Sequence, residues 1–167
     1  MATFAINPTQ DVVQAEINIA APPARVFQAI TDPRQLPQWW GQEGMYKTVD
    51  CDIDLKVGGR WSSRGSDAGG NAFTVEGEYL EIDPPKRLVY TWVATWTGDL
   101  KTTVQWELSP TANGTLVRLT HSGFAGQPEA AKSHAMGWQA VLGWLQAFAA
   151  DGETVASRKP LPTAKAE

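Results

Sequence analysis

Cysteine and histidine are scarce in this sequence of 167 residues, which has one cysteine, Cys51, and two histidines, His121 and His134. A single cysteine cannot form an internal disulfide, and it excludes a zinc site built from several cysteines. The sequence also lacks a glycine-rich phosphate loop and the Gly-x-Ser-x-Gly turn of the serine hydrolases. We therefore expect no metal, no cofactor and no standard catalytic constellation.

Long apolar runs and strong charge are missing as well. No stretch approaches the roughly 20 apolar residues that a membrane-spanning helix needs. The first ten residues, MATFAINPTQ, have neither the basic nor the apolar region of a secretory signal, which predicts a cytoplasmic protein. Charged residues make up 19% of the chain and the net charge is −4, so the basic footprint of a nucleic-acid binder is absent.

Acidic residues alternate at Asp50, Asp52 and Asp54, which superficially resembles a calcium-binding loop. The sixth position of such a loop would be Leu55 instead of glycine, and the twelfth would be Trp61 instead of glutamate. We therefore reject a calcium site and predict that the acidic row lies on a solvated strand edge.

Tryptophan, by contrast, is plentiful, with eight residues in a chain that is 43% hydrophobic.

Apolar residues alternate over 12–20, which predicts a half-buried strand. Pro23 suits the first turn of a helix over PARVFQAIT, and a second short helix ends in the WWG of residues 39–41. Segments of 8–11 residues, bounded by turn residues, then predict about six antiparallel strands: MYKTVDCDIDL, GRWSSRGS, AFTVEGEYLEI, KRLVYTWVATW, KTTVQWELSP and GTLVRLTHSG.

Helical spacing of apolar residues from Glu129 to about Ala150 predicts a long C-terminal helix. The sheet and this helix each have one apolar face to bury, so we predict an α+β fold in which a curved antiparallel sheet wraps around the helix. We expect one domain over residues 12–150, a flexible arm at 1–11 and a disordered tail at 151–167.

Strand parity gathers large aromatic side chains on the face that would meet the helix. Such rings, with polar tips on Tyr, Trp and His, are typical either of a packed core or of a small-molecule cavity. Gly77 on the same face removes a side chain where a cavity would need room. If a cavity is present, the predicted binding residues are Trp40, Trp61, Phe73, Tyr79, Tyr90, Trp92, Trp106, His121, His134, Trp138 and Leu142.

Several segments in their order resemble the START-like (SRPBCC) superfamily, and more narrowly its branch related to the C-terminal domain of the heat-shock-protein-90 ATPase activator. The resemblance covers about residues 12–148 and rests on IAAPPARVFQAITDPRQLPQWWG, KVGGRW, GEYLEIDPPKRLVYTW, TTVQWELSPTANGTLVRLTHSGF and HAMGWQAVLGWLQAF. It implies the helix-grip fold and a deep hydrophobic cavity for small apolar ligands. The glycine–tryptophan pair of the family's last helix corresponds here to Gly137-Trp138. The H-x-GF motif at the end of its last strand corresponds to His121, Gly123 and Phe124.

Three functions are open at this point, and we favour the first. The chain could bind a small hydrophobic molecule as a carrier, sensor or sequestering protein. It could instead be a cyclase-, aromatase- or hydrolase-like enzyme in which His121 or His134 moves protons. It could also be a co-chaperone-like interaction module that uses an exposed Trp39-Trp40 pair. The sequence permits a monomer or a homodimer.

Overall fold

The computed structural model describes residues 3–7 and 12–161. Over these residues the strands are β1 (Thr3–Asn7), β2 (Val12–Ile19), β3 (Gly41–Gln42), β4 (Tyr46–Ile53), β5 (Arg60–Asp67), β6 (Ala72–Asp83), β7 (Arg87–Ala94), β8 (Thr102–Thr111) and β9 (Gly114–Ser122). The helices are α1 (Pro23–Thr31), α2 (Leu36–Trp39) and α3 (Pro128–Asp151), with a 3₁₀ turn at Thr95–Thr97.

The described strands form one antiparallel sheet in the order β1-β2-β9-β8-β7-β6-β5-β4-β3. Each strand from β3 to β9 pairs with its neighbour in sequence, because the short connections leave no room for crossovers. The exception is β2, which pairs with β9 and so brings the start of the domain beside its last strand. The sheet curls around α3, and the predicted helix-grip architecture is confirmed.

Strand β2 shows why the sequence folds in this way. The side chains of Val13, Ala15, Ile17 and Ile19 are buried, and the residues between them are exposed. This alternation places one face of β2 in the core and the other in solvent.

The core face of α3 is set by residues three and four apart. His134, Trp138, Leu142 and Leu145 lie on this face and are buried, as the helical spacing predicts. The helix begins at Pro128, whose fixed φ suits a first turn. It ends where Gly152 adopts a left-handed conformation that accepts a side chain only with strain.

Both ends of the described chain differ from expectation. Within the segment expected to be a flexible arm, residues 3–7 form β1 and pair with β2, while residues 1, 2 and 8–11 lie outside the described residues. The expected disordered tail is ordered over 152–161 and packs beside α2 and β3, while residues 162–167 lie outside the description.

The ordered tail is held by the buried side chain of Arg158. Its guanidinium donates hydrogen bonds to the carbonyl oxygens of Gly41 at 2.7 Å and Trp144 at 3.2 Å, and also to that of Trp39. Its Nε donates to Glu153 at 2.9 Å. The polar composition of this segment predicted disorder. The segment is nevertheless ordered, because a single buried arginine supplies the contacts that an apolar stripe would otherwise provide.

Candidate functional site

A cavity of about 660 Å³ lies between the concave face of the sheet and α3. This volume is within the range of small-molecule sites, which are commonly apolar with a few polar groups. Most of the wall comes from β4, β5, β6 and β7 on one side and from α3 on the other, and α1 and α2 close one end. The sequence left open whether the inward aromatic side chains form a packed core or a cavity, and the structure shows a cavity.

Most of the predicted binding residues reach this cavity, and three do not. Trp106, His121 and Leu142 are fully buried behind the wall and do not line it, which corrects the prediction for these three. Strand parity cannot show this difference, because depth along an inward face depends on how the sheet curves. The predicted residues that line the cavity are Trp40, Trp61, Phe73, Tyr79, Tyr90, Trp92, His134 and Trp138.

Sequence reasoning missed the contribution of β4. Tyr46 and Thr48 line the cavity, and so do Cys51 and Ile53, although the two pairs have opposite parity. A β-bulge between Thr48 and Asp50 shifts the register and restores the inward direction. The sequence does contain a signal for the inward direction of Cys51 and Ile53, because both alternate with the acidic row that begins at Asp50. If the acidic side chains face solvent, the side chains between them face the interior.

The geometry of His121 fixes its protonation state. Its Nδ1 accepts a hydrogen bond from the indole Nε1–H of Trp138 at 2.9 Å. Its Nε2 lies 2.6 Å from the hydroxyl of Thr102, which itself donates to the carbonyl of Trp92 at 3.2 Å. Nε2 therefore carries the ring proton. Burial, with a smaller contribution from His134, holds the pKa of His121 well below its usual value.

His134 is engaged in a similar way, although it lines the cavity. Its Nδ1–H donates to the carbonyl of Ala130, one turn earlier in α3, at 2.8 Å. Its Nε2 accepts the indole Nε1–H of Trp92 at 3.2 Å. Burial lowers the pKa of His134, and the bond to Ala130 opposes this in part. Both histidines are thus neutral, and each uses both ring nitrogens within the protein.

Gly77 has a different role from the expected one. A Cβ at this position would lie 1.8 Å from the carbonyl oxygen of Thr91 and 2.7 Å from Nε1 of Trp61. The space above Gly77 is therefore taken by the neighbouring strand and by an indole ring. Glycine here allows a close approach of two strands and seats Trp61 in the wall, and it does not leave room for a ligand.

The Trp39-Trp40 pair is not an exposed patch. Trp39 is fully buried, and its Nε1–H donates to the carbonyl of Ala29 at 2.9 Å. Trp40 is half-buried and lines the cavity, where its Nε1–H donates to the hydroxyl of Tyr46 at 3.0 Å. The pair therefore joins the short helices to the core and to one end of the cavity.

The described residues contain neither a metal-binding cluster nor a membrane-spanning helix. Among them, no group of three or more His, Cys, Asp or Glu side chains is arranged to hold a metal ion. No helix in residues 12–161 is both long enough and apolar enough to cross a membrane.

The curled sheet, the long helix and the aromatic cavity between them define a protein of the START-like, helix-grip class. Within this class, the family model described as "Activator of Hsp90 ATPase homolog 1-like protein" matches residues 20–150, and the chain belongs to this family. The branch that the sequence resembles is thereby confirmed. A search of curated proteins finds no match to the chain.

Solved structures show the same fold. A protein from Rhodobacter sphaeroides is 21% identical with a TM-score of 0.78, and the match covers 92% of this chain and all of that one. A protein from Chromobacterium violaceum is 28% identical with a TM-score of 0.70, covering 83% of this chain and 96% of the other. DynU16, described as a protein in the dynemicin biosynthetic locus, is 23% identical with a TM-score of 0.70, covering 89% of this chain and 50% of its own.

Proposed function

We propose that the chain binds a small hydrophobic ligand in the cavity between the sheet and α3, as a carrier, sensor or sequestering protein of the cytoplasm. The observation that carries this proposal is a space of about 660 Å³ walled mainly by aromatic and aliphatic side chains. Protein interiors are normally filled to crystal-like density, so an apolar space of this size is costly to maintain without an occupant. The family membership supports the same function.

The engaged histidines favour binding over catalysis. A general base must offer a free lone pair to the substrate, and a general acid must offer a free proton. In His121 and His134 the lone pair and the proton of each ring already meet a partner within the protein. Their hydrogen bonds instead orient two tryptophans, Trp92 and Trp138, which form part of the wall.

An interaction function has lost its sequence support. The exposed tryptophan pair that motivated it is buried or turned toward the cavity. Of the large apolar side chains that are exposed among the described residues, Met45 and Trp96 belong to the cavity lining. Their exposure is consistent with an opening through which a hydrophobic ligand enters.

Two glycines of α3 form a matched pair for a test that fills the cavity. A Cβ added at Gly137 or at Gly143 would meet no atom within 4 Å. Gly137 lines the cavity, whereas Gly143 is exposed and lies outside it. Gly137→Leu and Gly143→Leu have the same effect on helix propensity, because each replaces a poor helix former with a good one. Since only Gly137 lines the cavity, only Gly137→Leu is expected to reduce its volume.

The test is binding of the neutral dye Nile red, followed by its fluorescence, to the native protein and both variants. We expect binding to the native protein and to Gly143→Leu, with a loss of at least about tenfold in affinity for Gly137→Leu. Equal binding by the two variants, or no binding by the native protein, would contradict the proposal. Native mass spectra of the freshly purified protein would add the mass of any trapped ligand and report monomer or dimer.

A further inference from the structure

One end of the cavity carries hydrogen-bond donors. The indole Nε1–H of Trp61 is buried and has no hydrogen-bond partner among the described residues. Tyr79 lines the same cavity and offers it a second donor, its phenol O–H. A buried donor without an acceptor costs free energy, so the Trp61 N–H beside the cavity requires an explanation.

Tyr90 adds a third donor beside these two. Its hydroxyl oxygen accepts a hydrogen bond from Nε1 of Trp106 at 2.9 Å, which leaves the hydroxyl proton to point elsewhere. The ring of Tyr90 lies 5.0 Å from that of Trp61 and 6.0 Å from that of Tyr79, measured between centroids. Burial raises the pKa of both tyrosines far above neutrality, so both phenols stay protonated.

The charge of the lining limits what these donors can receive. None of the residues that line the cavity is lysine or arginine, and the one carboxylate is that of Asp67. Asp67 is the last residue of β5, where its carboxylate accepts hydrogen bonds from the backbone N–H groups of Gly69 and Asn71. An anionic ligand would therefore lose its hydration without gaining a counter-charge, which is unfavourable in an apolar cavity.

The donors lie far from the exposed end of the cavity. Phe73, near the turn that holds Asp67, and Tyr79 are both on β6 and are separated by about 20 Å at the ordinary rise of a strand. The walls between them include the rings of Trp61 and Trp92, whose centroids are 5.8 Å apart. Flat rings pack well against such walls, and a polar end would reach the donors.

From this arrangement we propose that the ligand is a neutral, ring-containing molecule with a hydrogen-bond-accepting oxygen, such as a ketone, and that Tyr79 and Trp61 receive this oxygen with Tyr90 beside them. The inference rests on the proposed binding function and makes it more specific. It assigns Trp61 and Tyr79 as specificity-determining residues, because a ligand of the same shape without the oxygen would offer an acceptor to neither donor.

Three naphthalene probes of similar size separate the possibilities. 2-Acetylnaphthalene carries the acceptor oxygen, 2-ethylnaphthalene lacks it, and 2-naphthoate carries a negative charge. Binding is followed by the indole N–H resonances of the ¹⁵N-labelled protein, with the Trp61 resonance assigned from a Trp61→Phe sample. We expect the ketone to move the Trp61 resonance downfield, 2-ethylnaphthalene to leave it near its free position, and 2-naphthoate to bind most weakly.

The variant Tyr79→Phe removes one donor and keeps the ring. It should weaken 2-acetylnaphthalene by about tenfold and change 2-ethylnaphthalene by less than about twofold. Ser109→Ala removes an exposed hydroxyl from β8, outside the cavity, and is the control, expected to change neither probe by more than about twofold.

The outcomes distinguish this inference from the proposed function. If the ketone and 2-ethylnaphthalene bind but Tyr79→Phe affects them equally, the cavity binds ligands and the donor assignment is wrong. If 2-naphthoate binds best, the neutral ligand class is wrong. If no probe binds the native protein, both the inference and the proposed binding function fail.

Discussion

The indole Nε1–H of Trp138 donates a hydrogen bond to Nδ1 of His121 at 2.9 Å, and Nε1–H of Trp92 donates to Nε2 of His134 at 3.2 Å. The two imidazole rings lie 5.0 Å apart and nearly perpendicular. Each histidine thus fixes the ring plane of a tryptophan that lines the cavity. The pair acts as a rigid support for the wall, and its polar atoms are satisfied inside the protein.

Replacing Trp138 by phenylalanine tests this support. The variant leaves Nδ1 of His121 without a donor in a fully buried place and removes part of a packed ring, so we expect a loss of about 2–4 kcal/mol in the free energy of unfolding. Trp96→Phe is the control, because Trp96 is 52% exposed, and it should change stability by no more than about 0.5 kcal/mol. Urea unfolding measures both, and equal values for the two variants would contradict the role of Trp138.

Stability should fall as the pH drops below about 6.5. The folded pKa of both histidines is lowered, so the unfolded chain takes up protons in this range before the folded protein does. Their contribution is present above the unfolded pKa and is lost on acidification, by at most about 2 kcal/mol for each histidine between pH 7 and pH 5. The carboxylates with a lowered pKa, such as Asp67, add their own loss only at lower pH.

The measurement is urea unfolding at several pH values from 7.5 to 5. The sequence has only two histidines, so His134→Gln removes one of the two titrating side chains and should make the dependence of stability on pH shallower. A stability that stays constant between pH 7 and pH 5 would show that the histidines are not held neutral.

Gly77→Ala should destabilise the protein strongly. The added methyl would overlap the carbonyl oxygen of Thr91 and press on the ring of Trp61, and backbone atoms of a central strand cannot move aside easily. We expect a loss of about 3 kcal/mol or more. Gly143→Ala, in open space on α3, should instead stabilise by about 0.5–1 kcal/mol. Thermal unfolding would test the opposite signs, and a neutral Gly77→Ala would contradict the close strand approach.

Periodicity in the sequence predicted the elements that have an uninterrupted pattern. The alternation in β2 and the three-and-four spacing of His134, Trp138 and Leu142 in α3 each encode a buried face directly. From these faces the curved sheet around one helix followed, because no other arrangement buries both. The aromatic character of the cavity wall was also predictable, because strand alternation places the large aromatic side chains on the inward face.

The features that the sequence did not predict depend on local breaks in the strand alternation and on how deep a side chain lies below the cavity wall. The bulge after Thr48 reverses parity within β4, and no residue type marks it in the sequence. Trp92 and Trp106 share the predicted inward face, yet only Trp92 reaches the cavity. Strand β7 ends at Ala94, so Trp96 lies on the 3₁₀ turn and is half exposed, although the alternation would have continued through it.

Arg158 provides the last prediction, because its contacts hold a segment whose composition indicates disorder. Its side chain is 3% exposed and donates to the carbonyls of Trp39, Gly41 and Trp144, which join the tail to the end of α2, to β3 and to α3. Hydrogen bonds from a charged donor are stronger than neutral ones, and Arg158→Ala would leave these buried carbonyls without a donor. We expect a loss of about 2–4 kcal/mol.

The matched control for Arg158 is Arg34→Ala, since the side chain of Arg34 is 88% exposed and pairs with Asp32 at the surface. That variant should stay within about 0.5 kcal/mol of the native protein. Urea unfolding gives both values, and amide hydrogen exchange at Val155, whose N–H donates to the carbonyl of Gln38 at 2.7 Å, reports whether the tail is released. Fast exchange at Val155 in the native protein would show that the tail is not bound, whereas protection that disappears in Arg158→Ala alone would show that one guanidinium fixes it.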